Sequence, residues 1–117
     1  MIKVYGINTC GSFKKAVKFF DGKAIAIETI DLKQTVPTIS ELKEYHEKSG
    51  IDIKRFFNTS GKLYRELDIK NKYKEMNIEE IYELLSKNGM LLKRPLIVDG
   101  IYVRVGFNLE EYDKKWN

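Results

Sequence analysis

One cysteine and one histidine in 117 residues are too few for a zinc site of the Cys/His type, and a lone cysteine cannot close a disulfide within the chain. No apolar stretch approaches the length that spans a bilayer. The N-terminus, Met1-Ile2-Lys3-Val4-Tyr5, lacks the charged-then-apolar order of a signal peptide. These absences predict a reducing, cytoplasmic setting with no membrane partner. A basic stripe interleaved with aromatics is missing too. The 21 Lys and Arg exceed the 17 Asp and Glu, but they are scattered among acids, as in Glu41-Leu-Lys-Glu-Tyr-His-Glu-Lys48. That pattern reads as a solvated surface, and direct nucleic-acid binding is not expected. Repeats and low-complexity segments are absent.

What remains is an ordinary globular composition, 43% hydrophobic and 32% charged. The length fits one domain with one core. Ile2 to Tyr5 read as a first strand, and Gly6 to Thr9 as a turn. From Cys10 to Phe20 the residues Phe13, Ala16, Val17 and Phe20 recur at helical spacing, while Lys14, Lys15 and Lys18 fall off that stripe. Gly22 is the expected C-terminal cap, and Ala24 to Ile30 the second strand, giving a β-α-β unit with parallel strands. The middle reads as helices. Thr38 or Ser40 caps Glu41–Lys48, which Gly50 ends, and Ile51–Phe57 and Lys62–Leu67 are short helical segments. Asn77 caps Ile78–Lys87, with Ile78, Ile81, Tyr82 and Leu85 forming an apolar stripe. Leu96–Val98 and Ile101–Val105 flank Asp99-Gly100 as a hairpin, and Leu109–Trp116 is a closing helix. The order predicts an α/β fold, a four-stranded mixed sheet with helices packed on it.

Cys10 is the sharpest chemical feature. At the start of a helix that follows a strand, its sulfur faces unpaired N–H groups and the positive end of the helix dipole. That setting favours thiolate, the reactive form. The alternative is a small apolar residue tucked beneath the sheet. Lys14 and Lys15, one turn on, are candidates to add to the field. Asn8 is a candidate hydrogen-bond donor to the sulfur, and Thr9, Gly11 and Ser12 supply amides and hydroxyls for an anion nest. Arg94-Pro95 precedes a strand, so Pro95 is a candidate cis proline and Arg94 a multiply donating partner for an oxyanion or carboxylate. A plain turn proline with a surface arginine fits that spacing equally well. His46, in a charged helix, reads as an exposed residue and not as a general base.

Several segments together carry a family resemblance. They are Tyr5-Gly-Ile-Asn-Thr-Cys10 with Lys14-Lys15-Ala16, and Phe56-Phe-Asn-Thr-Ser-Gly-Lys-Leu-Tyr-Arg-Glu-Leu67. Leu92-Lys-Arg-Pro-Leu-Ile-Val-Asp99 and Val105-Gly-Phe107 complete the set. In this order the chain resembles the arsenate reductase-like (ArsC/Spx) family over nearly its whole length. The resemblance implies a thioredoxin-like fold in a single domain 1–117. Its core comprises 1–32 and 93–117, with a helical insert of about 36–90 between the second and third strands.

For the reductases, it implies that Cys10 attacks arsenic and that three arginines hold the oxyanion. No bound cofactor is implied; glutathione is the co-substrate, and a glutaredoxin-type protein completes the reduction. Arg94 matches one arginine. Ser60 stands where relatives carry an arginine after Asn-Thr, and the arginine near Phe107 has no counterpart. Charge-assisted contacts to a buried oxyanion contribute roughly 1.5–3 kcal/mol each, so two missing arginines predict poor arsenate reduction. For the Spx-type regulators, the resemblance implies binding to the C-terminal domain of the RNA polymerase α subunit. Gly50 would match the glycine at that contact. Their Cys-x-x-Cys switch is ruled out, because position 13 is Phe13.

Overall fold

Alternation along the first strand decides how the sheet is covered. In β1 (Ile2–Gly6), Ile2 and Val4 point into one core and Tyr5 into another. The computed structural model describes all residues 1–117. Helix α1 (Gly11–Gly22) and strand β2 (Ile27–Asp31) follow, and β2 pairs in parallel with β1, Val4 opposite Thr29. Strand β3 (Leu96–Asp99) runs antiparallel along the other side of β1, with Val4 opposite Ile97, and β4 (Tyr102–Val105) completes the order β2-β1-β3-β4. This is the mixed four-stranded sheet that the sequence predicts.

Between β2 and β3 lie α2 (Ile39–Ser49), α3 (Lys62–Glu66), α4 (Ile69–Lys72), α5 (Ile78–Lys87) and three 3-10 turns. Leu42, Tyr45, Ile81, Tyr82 and Leu85 from this segment pack on the face that carries Tyr5, Leu96, Val98 and Val103. On the opposite face, Phe13, Ala16 and Phe20 of α1 join Tyr112 and Trp116, from α6 (Leu109–Lys115) and the residue after it, over Ile2, Val4 and Ile97. Side chains cap α2 and α5 as the sequence suggests. Thr38 and Asn77 each accept from the backbone N–H three residues on, while Glu41 and Glu80 reach back to the capping residue. No helix is long and apolar enough to cross a membrane.

Several local readings need correction. Gly22 lies inside α1; the chain reverses later, where Ala24 takes a left-handed conformation at φ 56°, so β2 starts at Ile27 instead of Ala24. The hairpin is shifted by one residue. Asp99 pairs with Tyr102, which makes Gly100-Ile101 the two-residue loop and leaves Asp99 in the strand. Ile78 falls off the buried stripe and is 39% exposed, because it is the first residue of α5 and overhangs the helix start. Helix α4 and the turn Tyr73–Glu75 were not anticipated; their four and three residues are too short for a periodic pattern.

Candidate functional site

The chain leaves β1 through buried Ile7, whose carbonyl accepts from Cys10 N–H at 3.0 Å, and the Asn8-Thr9 turn swings Cys10 to the start of α1. Cys10 is the N-cap residue, with extended backbone (φ −86°, ψ 120°), and its carbonyl accepts the first helical hydrogen bond from Lys14 N–H at 3.1 Å. A side chain at an N-cap faces the amides two and three positions on, here Ser12 and Phe13. The sulfur makes no formal capping hydrogen bond. It is partly buried and touches both hydrophobic cores.

Burial acts to push the Cys10 thiol up, but the Phe13 amide, the Arg94 side chain and the Ser12 amide together outweigh it, and the thiol is held below its ordinary value. Arg94 reaches the site from the segment before β3, at a cis Arg94-Pro95 bond. One terminal nitrogen donates to the Met90 carbonyl at 3.3 Å. Its Nε is buried and has no partner in the protein. A buried donor without a partner costs roughly 1–3 kcal/mol, so an anion placed against that edge of the guanidinium gains an interaction already desolvated.

Of the residues singled out in the sequence, Cys10, Ser12, Arg94 and Pro95 converge, Pro95 being buried beside Arg94. Gly11 is the exposed first residue of α1, and Thr9 is exposed in the turn. Asn8 does not donate to the sulfur; it is exposed and lines a shallow groove with Phe13, Lys14, Val17 and Lys18. Lys14 turns toward that groove, and neither it nor Lys15 is among the groups that lower the thiol, because both project into solvent. Gly50 stands apart as the exposed C-cap of α2, at φ 66° and with open space where a Cβ would go.

His46 is not an exposed helix residue. It is half-buried, its Nε2 sits 3.0 Å from the Ile51 carbonyl and its Nδ1 2.7 Å from the Tyr82 hydroxyl. A carbonyl only accepts, so Nε2–H donates to Ile51, and in the neutral ring Nδ1 accepts from Tyr82. The ring ties α2 to α5 and has no free edge for acid–base work. Arg104 likewise spends its side chain on structure. It pairs with Glu111 at 3.2 Å, donates to Ser49 O at 3.1 Å and stacks on Tyr102. No group of three or more His, Cys, Asp or Glu side chains lies close enough together to hold a metal ion.

The Phe13 amide was missed in the sequence, although the capping rule that the sulfur meets the third helical N–H would have found it. The chain as a whole is similar to known proteins. The ArsC family model matches residues 5–115. The chain is 44% identical over 112 residues to the uncharacterized protein YusI of Bacillus subtilis, covering 96% of this chain and 95% of YusI. A crystal structure of a possible arsenate reductase from Streptococcus mutans is 34% identical and superposes with a TM-score of 0.88, covering 97% of this chain and 98% of that one. The global transcriptional regulator Spx 2 of Bacillus anthracis is 25% identical over 114 residues, covering 97% of this chain and 86% of the regulator.

Proposed function

Since the chain belongs to the ArsC family, whose model matches nearly its full length, we propose that it is a thiol oxidoreductase with Cys10 as nucleophile. The supporting observation is the convergence of the Phe13 and Ser12 amides and Arg94 on one half-buried sulfur. A mixed disulfide of glutathione is the substrate class that suits this site. The Cys10 thiolate attacks one sulfur, a Cys10–S bond forms, the original S–S bond breaks, and the second thiol leaves as thiolate. A further thiol, glutathione or a glutaredoxin-type protein, then attacks the adduct and releases Cys10, because the chain holds no second cysteine to do so. Arg94 steadies negative charge on the Cys10 sulfur, both in the resting state and as it leaves in the second step. Arsenate is a poor substrate on this reading. Ser60 is exposed and Phe107 is aromatic, so one guanidinium meets the oxyanion where the reductases place three.

Iodoacetamide alkylation of Cys10 across pH tests the proposal. The expected midpoint lies below about 8.5, the free-thiol value, and rises in Arg94→Gln. A midpoint at or above that value in the unaltered protein would exclude an activated nucleophile. The likeness to Spx 2 and the open, exposed Gly50 favour a second reading, a regulator that binds RNA polymerase through its α subunit. Pull-down with the C-terminal domain of that polymerase subunit, run beside the alkylation series, separates the two. Capture that is lost in Gly50→Arg, together with no turnover of glutathione mixed disulfides, selects the regulator.

A further inference from the structure

The sheet ends on one side at β2, and the ladder shows which backbone groups of that strand face outward. Leu32 N–H donates to Gly6 O at 2.9 Å, Ile30 lies opposite Tyr5, and Glu28 opposite Lys3. In a parallel pair alternate residues bond to the neighbouring strand, so Glu28, Ile30 and Leu32 turn their N–H and C=O groups to β1. Ile27, Thr29 and Asp31 turn theirs away from the sheet. The Asp31 carbonyl is used by the Gln34 and Thr35 N–H groups, which donate to it at 3.0 and 2.9 Å. Ile27, Thr29 and the Asp31 N–H keep their capacity to pair with a further strand.

Apolar surface follows the same edge. Trp116 meets Tyr102 and Asp99, which sets α6 over β3 and β4 and leaves β1 and β2 to α1. A helix is about 10 Å wide, two strand spacings of about 4.8 Å, so the outer flank of α1 stands above the edge of β2. That flank carries Phe13, Lys14, Val17 and Lys18, which with Asn8 line a groove of about 390 Å³. Val17, Ile25 and Ile27 are half-buried, packed against the smaller core but not enclosed by it. Lys14, Lys18 and Asp21 are exposed, and none of them joins an ion pair.

We infer that a second copy of the chain docks on this edge, pairing β2 with the partner's β2 in antiparallel about a two-fold axis at Thr29. The edge is complementary to itself, as such an axis requires. Thr29 meets its own counterpart, Ile27 meets Asp31, and Glu28 meets Ile30, so no acid stands opposite an acid. An axis at Glu28 would set the two glutamates face to face. The axis at Thr29 also lays the two α1 helices side by side and antiparallel, about 10 Å apart, the ordinary packing distance. Lys14 of each copy then faces Asp21 of the other, and Val17 lies against Val17 and Lys18 across the middle of the helices. A polyanion is a worse occupant, because Glu28 and Asp31 would repel it.

Sedimentation velocity from micromolar to millimolar protein tests this. A monomer–dimer equilibrium is expected, and a monomer throughout overturns the inference. In the ¹⁵N-labelled protein, solvent exchange of the Thr29 N–H should slow as the concentration rises. Association that leaves Thr29 unchanged puts the interface elsewhere and overturns the inference too. Thr29→Pro should weaken the dimer by roughly tenfold or more, since each copy loses a hydrogen bond. It should keep the fold, because the N–H removed faces away from β1 and proline is tolerated on a sheet edge. Trp116 fluorescence checks the folding. If the proline variant does not fold, charge exchange decides. Lys14→Glu should weaken the dimer about fivefold, and Lys14→Glu/Asp21→Lys should restore it; a double variant no tighter than the single one overturns the pairing.

Discussion

At Cys10, burial and the neighbouring N–H donors pull against each other, and the donors prevail. Partial burial alone would push the thiol up, but the Phe13 and Ser12 amides and the Arg94 side chain favour the anion and leave it below its ordinary value. The same balance makes the residue a contributor to pH-dependent stability. A thiol whose value is lower in the folded chain than the roughly 8.5 of the unfolded one binds fewer protons when folded, across the window between the two. Stability therefore rises with pH through that window, is fully present above the unfolded value, and is lost as pH falls through the folded value. Urea midpoints of the unaltered protein and Cys10→Ser should diverge progressively as pH rises toward the unfolded-chain value of about 8.5, in favour of the cysteine at the alkaline end. A difference that stays flat with pH would show that the folded thiol titrates as it does in the unfolded chain.

The start of α1 is held in place by a close approach that only glycine allows. A Cβ at Gly6 would sit 2.1 Å from a ring carbon of Phe13, a buried residue of the rigid α1–sheet contact. Gly6→Ala is expected to push the first turn of α1 off the sheet, costing about 1–3 kcal/mol in stability. Because Phe13 also supplies an amide to the sulfur, the variant should raise the alkylation midpoint of Cys10. Unchanged thermal stability and midpoint would mean that the ring moves aside at no cost.

This element was half legible in the sequence. The apolar spacing of Phe13, Ala16 and Phe20 gave its face, and the strand–turn–helix order gave the place of Cys10. The contact between Gly6 and Phe13 depends on how closely the helix settles on the sheet, which no local pattern encodes. The same division holds elsewhere. Thr38 and Asn77 declared their helices because a cap is a local hydrogen bond, and Arg94-Pro95 declared a boundary. The register of the hairpin hung on cross-strand packing, with Val98 and Val103 facing each other in the larger core, so the Asp-Gly signal was off by one. His46 gave no sign of its burial, since its partners Ile51 and Tyr82 are fixed by the docking of α2 on α5.

The molecule as a whole is two apolar layers that share one thin sheet. The larger core lies under the helices between β2 and β3, and the smaller one under α1 and α6. β1 and β3 serve both, Tyr5, Leu96 and Val98 facing one way and Val4 and Ile97 the other. Neither layer can come apart without stripping a face from the strands that the other needs, so loss of packing on one side should be felt on both. Trp116, the single tryptophan, reports from the smaller core; it is 7% exposed and its indole N–H donates to Asp99 at 2.8 Å. Leu85 is wholly buried in the larger core, on α5. Leu85→Ala should cost about 2–5 kcal/mol. Its urea midpoint should fall by the same amount whether read by Trp116 fluorescence or by the far-ultraviolet helix signal, as one transition. If the helix signal melted first and Trp116 later, the segment 39–91 would be a separately folding layer. The Arg94-Pro95 boundary, which joins that layer to β3, would then be a hinge between two units, and Arg94 would lose its grip on Cys10 before the sheet itself unfolds.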